Sequence, residues 1–352
     1  MTPSRLDPDP YPGSESIGAM LTRVRLASGR SQLRLAELLC AASGVSTITR
    51  HEVSRWEREE RIPGVHWLRW LATVLDLPLA ELEGATAIAR ARRGDTDPEP
   101  GDTECGGTEP GDPADVPWDP HSDGTAGGLS ARIAILRRMD DLVGGPDLAA
   151  LTGRELSAAA DLLRAPDLSE QARRRLLPQV AELAQLACWV AADAGAPAAA
   201  WRAYRLGVET ATAAGSYPLL GHLMGSLAHL STGADTDPSA TVELARRAYR
   251  LARPGTSATG RALLLQRVAF AAARAGRRRA GEQALAGAER AFQRRDDSLD
   301  PPWLYWFHDA ELTAMTGRCY AALGRPRLAE PLLRAALDDP RIRLRGWALY
   351  AG

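Results

Sequence analysis

The chain has 352 residues, 45 % hydrophobic and only 5 % aromatic, with a formal net charge of −1. That length accommodates two or three domains with real cores, and abundant Ala with scarce aromatics favours helix over sheet. All 43 basic residues are Arg, and the sequence holds neither Lys nor Asn. A GC-rich genome yields that bias by itself, so arginine content alone says little about nucleic acid. Distribution says more. Residues 17–93 carry 12 Arg against 8 acids, 94–128 carry 10 acids and no base, and 129–352 carry 30 Arg against 23 acids. The four cysteines, Cys40, Cys105, Cys188 and Cys319, form no CxxC pair and read as buried residues of a reducing compartment. With a polar, Pro-rich start and no run of about 18 apolar residues, neither a leader nor a membrane span is expected. The expected location is the cytoplasm.

Residues 1–16 read as a disordered start. From there to 93 the periodicity is helical in short segments. Ile17, Met20, Leu21 and Val24 share a helix face, with Gly29 as the residue that closes it. Ser31 caps a helix over SQLRLAELL, in which Leu35 and Leu38 face inward and Ala36 permits close approach. The stretch Ser46–Thr49 caps the next, TRHEVSRWERE, where Val53 and Trp56 share the inner face and Arg50, His51, Ser54 and Arg55 project elsewhere. Pro63 and Gly64 precede a fourth helix with Trp67, Leu68, Leu71 and Leu75, and a fifth begins near Leu79. Two short helices with an Arg/His-rich second member make the shape that lays one helix into the DNA major groove.

Residues 94–128 are dense in Pro, Gly and acid and too poor in apolar residues to offset ordering entropy, so a disordered tether is expected there. Residues 129–165 read as two helices leading into a repeating array. In that array a glycine closes one helix, and about twelve positions later a small residue marks a close packing point on the next. Gly233 is followed by Ala245, Tyr249 and Ala252, Gly276 by Ala288 and Phe292, and Gly324 by Ala336. Gly195 followed by Gly207 fits less well. After a fourth helix pair, RIRLRGWALYAG starts a further helix. The expected fold is all-α: five N-terminal helices over 17–93, an acidic linker over 94–128, and a helical-repeat domain over 129–352.

The array resembles the tetratricopeptide repeat, with a period stretched to about 40 residues from the usual 34. The N-terminal motif, SQ-xx-LA in one helix, VSRWE in the next and the LDLPLAEL segment after them, resembles the Cro/C1-type (XRE) helix-turn-helix. The combination resembles actinobacterial regulators of that type. The resemblance implies a sequence-specific binder of an operator in double-stranded DNA, with 49–58 as the recognition helix. It places Gln32 on phosphate and Arg50, His51 and Arg55 at base edges, Arg being the side chain best suited to guanine. Ser54, Arg58 and Arg61 are assigned to the DNA backbone. It also implies a structural ion pair between Arg25 and Glu57. One departure stands out: 25 positions separate Gln32 from Glu57, about seven more than in the compact motif, with the insertion in CAASGVSTI and a turn wider than usual expected there. Glu52 is read as the partner of a neighbouring Arg.

Enzyme and metal motifs fail on inspection. His51-Glu52 opens like HExxH, but its fifth position is Arg55. His222 and His229 lie seven apart on one helix face without a Cys or acid at ligand spacing, which marks core or groove histidines. There is no GxxxxGK[ST] or GxSxG, and no cofactor is expected. The run Trp303-Leu304-Tyr305-Trp306-Phe307-His308 has two readings. It is the packing face of a long repeat helix, or Trp303, Tyr305, Trp306 and His308 line a groove that takes a peptide or partner helix. The repeat domain would then sense a partner or supply a homodimer. The other reading of the whole chain is a repeat-based interaction scaffold whose N-terminal module no longer reads DNA.

Overall fold

The structure, a computed structural model, describes residues 15–45, 47–93, 126–233, 236–339 and 341. Among them all regular structure is helical. The chain divides into two compact units, with the division between Gly124 and Thr125.

The first unit contains α1 (Ile17–Ala27), α2 (Gln32–Ser43), α3 (Arg50–Glu57), α4 (Val65–Leu75) and α5 (Leu79–Arg93). These helices are short, and their ends are set by local chemistry. Ser31 Oγ accepts the Arg34 amide at 3.0 Å and Thr49 Oγ1 the Glu52 amide at 3.4 Å, each satisfying one of the donors a helix start leaves open. Gly44 ends α2 in the left-handed region, at φ 75°. The expected inner faces are buried: Ile17 and Leu21 of α1, Leu35, Ala36 and Leu38 of α2, Val53 and Trp56 of α3, Leu68 and Leu71 of α4. Leu82 of α5 closes the same core. The wide turn differs from expectation in its form. The segment CAAS continues α2 as helix, so the connection to α3 spans only 44–49, of which Ser46 lies outside the described residues. Ile48 plugs this connection into the core while its carbonyl accepts from Cys40 Sγ at 3.2 Å.

The second unit runs from α6 (Ala126–Leu142) and α7 (Gly145–Arg164) into four pairs: α8 (Glu170–Asp193) with α9 (Pro197–Ala213), α10 (Tyr217–Leu230) with α11 (Pro238–Ala252), α12 (Ala258–Arg274) with α13 (Arg278–Phe292), and α14 (Asp309–Ala322) with α15 (Pro326–Leu337). Helix α6 starts three residues before the expected boundary, and the remainder of the acidic stretch, 94–125, lies outside the described residues. So do the N-terminal residues 1–14 and the expected last helix over 342–352. Gly195, Gly276 and Gly324 turn three of the pairs at φ 69–70°, where a side chain would strain the backbone. At the remaining position α10 ends at Leu230 and passes into a 3-10 turn, Ser231–Gly233. The small residues twelve positions on are closely packed: Ala245, Ala288 and Ala336 are all buried, and a Cβ added at Gly207 would sit 2.8 Å from Leu223 Cδ2. The first helices of successive pairs, α8, α10, α12 and α14, pack on one another and form the inner layer.

Candidate nucleic-acid interface

Helix α3 is held on one face and open on the other. Val53 and Trp56 are buried, and the Trp56 ring meets Trp67 of α4 at 6.1 Å. Its far end is locked from α1. Arg25 Nε and Nη2 donate to Glu57 Oε1 at 2.5 Å and Oε2 at 2.9 Å, a bidentate pair whose side chains are both largely out of water. Donation to that carboxylate raises the Arg25 pKa above its ordinary value. Arg25 Nη1 also donates to the Arg30 carbonyl at 2.8 Å, and Arg30 Nη1 to the Val74 carbonyl at 2.9 Å, so the clamp reaches α4. Gly18 completes the contact. A Cβ there would sit 2.5 Å from the Glu57 carbonyl, and its amide donates to Glu59 Oε1 at 3.1 Å.

The exposed side is less uniform than its arginine content implies. Arg50 and His51 stand exposed on the first turn of α3 and make no ion pair or side-chain hydrogen bond among the described residues. Arg55 and Arg61 both reach Glu52 Oε1, at 3.3 and 3.2 Å, which is the pairing expected for Glu52. Arg58 Nη1 donates to Ser54 Oγ at 2.8 Å, and Nε and Nη2 hold Glu60 at 2.7 and 3.0 Å. Gln32 sits at the start of α2, but its Nε2 donates to Glu57 Oε2 at 2.7 Å. Four of the seven expected DNA contacts, Gln32, Arg55, Arg58 and Arg61, therefore have an acidic partner within the unit. The charge needed for a phosphate surface is partly balanced at home, and the unopposed cation lies at the N-terminal turn.

Comparison of the chain with protein-family models, curated proteins and solved structures finds no match to any of them.

The aromatic run of the second unit is not a helix face. Residues 293–308 form the connector between α13 and α14, with 3-10 turns at Asp297–Leu299 and Pro302–Leu304, and Pro301 and Pro302 interrupt any α-helical run through it. The side chains diverge accordingly. Trp303, Leu304 and Phe307 enter the core, where Trp303 stacks on His222 of α10 at 4.5 Å. Trp306 packs against that core, half-buried. Tyr305 points out at 49 % exposure, and its hydroxyl donates to Asp141 Oδ2 of α6 at 2.8 Å. His308 takes the N-cap position of α14 without a side-chain cap bond. The groove reading of Trp303, Tyr305, Trp306 and His308 is thus corrected: Trp303 fills the core, Trp306 packs against it and Tyr305 ties to α6, so the four do not line one surface.

The two histidines of α10 also find their places. His222 is buried beneath Trp303, and burial, with Arg137 and Arg267 nearby, holds its pKa well below the ordinary imidazole value. His229 lies between Trp189 and Phe270. Burial pushes the thiols of Cys188 and Cys319 up to about 11 and about 12, so both behave as inert apolar groups. Among the described residues no cluster of His, Cys, Asp and Glu is arranged to hold a metal, and no helix is long and apolar enough to cross a membrane. Sequence reasoning missed the inner layer of α8, α10, α12 and α14, which brings Gln185 and Trp189 of α8 together with Arg267 of α12 and Arg318 of α14. The only signal was the pair His222 and His229.

Proposed function

We propose that this protein is a sequence-specific DNA-binding transcriptional regulator. Its first unit works as a helix-turn-helix of the Cro/C1 type, and its second as a tetratricopeptide-like array that senses a partner or joins two copies. The observation that supports this reading is the state of α3: one face and one end are fixed by Val53, Trp56 and the Arg25–Glu57 clamp, while the N-terminal turn presents exposed Arg50 and His51. A helix pinned so rigidly, with a cationic first turn, suits insertion into a major groove, where base edges are met by the first residues of the recognition helix. Two such units on an inverted repeat would follow from a homodimer.

A second reading has an observation of its own. Arg55, Arg58, Arg61 and Gln32 are engaged with Glu52, Glu60 and Glu57, which favours an interaction scaffold whose first unit has given up DNA. One experiment separates the two. Fragments of the source genome retained by the full chain are assayed by fluorescence anisotropy at two salt concentrations against random duplex. The regulator reading expects Arg50→Ala to lower affinity for the retained fragment by about 1–3 kcal/mol with little effect on random duplex. It expects Arg61→Ala to weaken every duplex alike and to flatten the salt dependence. Binding that depends on salt but on no sequence favours the scaffold.

A further inference from the structure

The arginines of the first unit do not spend their donors in the same way. A guanidinium has one edge, Nε with Nη2, that presents two parallel N–H groups and fits a carboxylate or a base edge in bidentate fashion. Arg25 gives that edge to Glu57, at 2.5 and 2.9 Å, and Arg58 gives it to Glu60, at 2.7 and 3.0 Å. Arg55 does not. It donates to Glu52 Oε1 through Nη1 alone, at 3.3 Å, and its Nε and Nη2 make no hydrogen bond among the described residues. Glu60 feels the charge of Arg55 without bonding it.

In this group the carboxylate is the sheltered member: the side chain of Glu52 is 19 % exposed and that of Arg55 47 %. Glu52 Oε1 takes both Arg55 and, at 3.2 Å, Nη1 of Arg61 from the segment after α3. Glu52 Oε2 is buried and has no hydrogen-bond partner. A carboxylate with one oxygen shut away from water has lost much of its solvation and depends on the cations beside it. Glu52 and Arg55 are three apart on α3, acid first, the spacing at which such a pair meets on a helix. Drawing Arg55 off to a distant phosphate therefore leaves Glu52 underpaired, whereas a partner that arrives at the open edge leaves the pair in place.

We infer that Glu52 is a positioning residue that sets the sequence specificity of the first unit: it holds Arg55 by one nitrogen and leaves the Nε–Nη2 edge for the O6 and N7 of a guanine. An unrestrained arginine follows any phosphate and adds affinity without selectivity. A restrained one has lost part of its side-chain freedom before binding, which lowers the cost of a matched contact. Specificity is a difference of affinities, and Glu52 acts on both sides of it, aiding the guanine contact and opposing the general one. The inference rests on the DNA-binding reading of the first unit, and gives the pairing of Arg55 with an acid a part in recognition.

The test uses the full chain, the genomic fragment it retains and a random duplex, compared by fluorescence anisotropy. Glu52→Gln keeps the shape and removes the charge, and circular dichroism checks its fold. It is expected to lower the ratio of the two affinities by about tenfold. Random duplex is expected to bind more tightly, with a salt dependence steeper by about one phosphate contact, because Arg55 is released. Arg55→Ala is expected to lower the ratio by a similar factor, and adding Glu52→Gln to it to lower the ratio no further. A merely structural role for Glu52 would shift both affinities alike. The unaltered protein supplies a second measurement, in which guanines of the fragment are replaced singly by 7-deazaguanine, which lacks the N7 acceptor. One replacement is expected to weaken binding by about tenfold and to have no effect on Arg55→Ala. An unchanged ratio in Glu52→Gln, a further fall in the double variant, or the lack of any guanine whose effect vanishes in Arg55→Ala overturns the inference and leaves the DNA reading standing. An unaltered chain that prefers no fragment to random duplex overturns both.

Discussion

The two units are stabilised in opposite ways. The first is short helices locked by long-range polar contacts: Arg25 to Glu57, Gln32 to Glu57, Gly18 to Glu59 and Arg30 to Val74 join elements far apart in sequence. The second is long helices drawn together by the absence of side chain, with Ala245, Ala248, Ala252, Ala262, Ala269 and Ala288 fully buried. At Gly221 an added Cβ would meet Ala252 Cβ at 2.4 Å and the Ala248 carbonyl at 2.9 Å. A clamp of charges fixes direction as well as distance. Close packing of small residues fixes only distance, and permits an inner layer to carry unusual polar groups.

The contrast can be broken at either side, and the effects are expected to rank. Glu57→Ala leaves Arg25 without its carboxylate in a nearly dry position, and the first unit is expected to lose about 3–5 kcal/mol in denaturant unfolding, with the helix signal of the second unit retained. Equal loss in both units would sink the idea of a local clamp. Gly221→Val overfills the α10–α11 contact and is expected to cost the second unit about 2–3 kcal/mol, leaving the first untouched. The pH response should also separate them. His222 and His229 have native pKa values below their unfolded values, so the unfolded chain binds more protons as pH falls. Their contribution is complete above about pH 6.5 and is lost progressively below it, by up to about 1.4 kcal/mol per pH unit for each imidazole. A second unit whose melting temperature is flat between pH 7 and pH 5 would contradict this. The smallest effect is expected from Thr49→Ala, about 1 kcal/mol from the loss of one cap on α3, measured by the same unfolding curves.

Much of the first unit was legible because its information is local. Caps, the inward pair Val53 and Trp56 and the closing glycines follow from spacing a few residues wide, and the Arg25–Glu57 pair followed from a family pattern in those same helices. What spacing could not reveal was the pairing of the outward arginines. Whether Arg61 turns to solvent or to Glu52 depends on where the chain after α3 brings it, and that is set by Glu59 in the left-handed region at φ 55°. The aromatic run failed for a different reason. The run was read as one face of a long helix, although the consecutive prolines Pro301 and Pro302 just before it remove amide donors and bias the residue before them away from helix. The inner layer was illegible because its residues come from different helix pairs, and only their packing on one another assembles them.

The contact between Tyr305 and Asp141 joins residues 164 positions apart. An array whose repeats touch only their neighbours can melt from its ends, one unit at a time, and can begin folding anywhere. A tether from the connector before the last pair back to the first helix of the unit removes that freedom. Closing so long a loop is entropically slow but stabilises many contacts at once. Tyr305→Phe is therefore expected to leave the midpoint of unfolding nearly unchanged while broadening the transition, and pulling on the array from one end would release it in steps instead of in a single event.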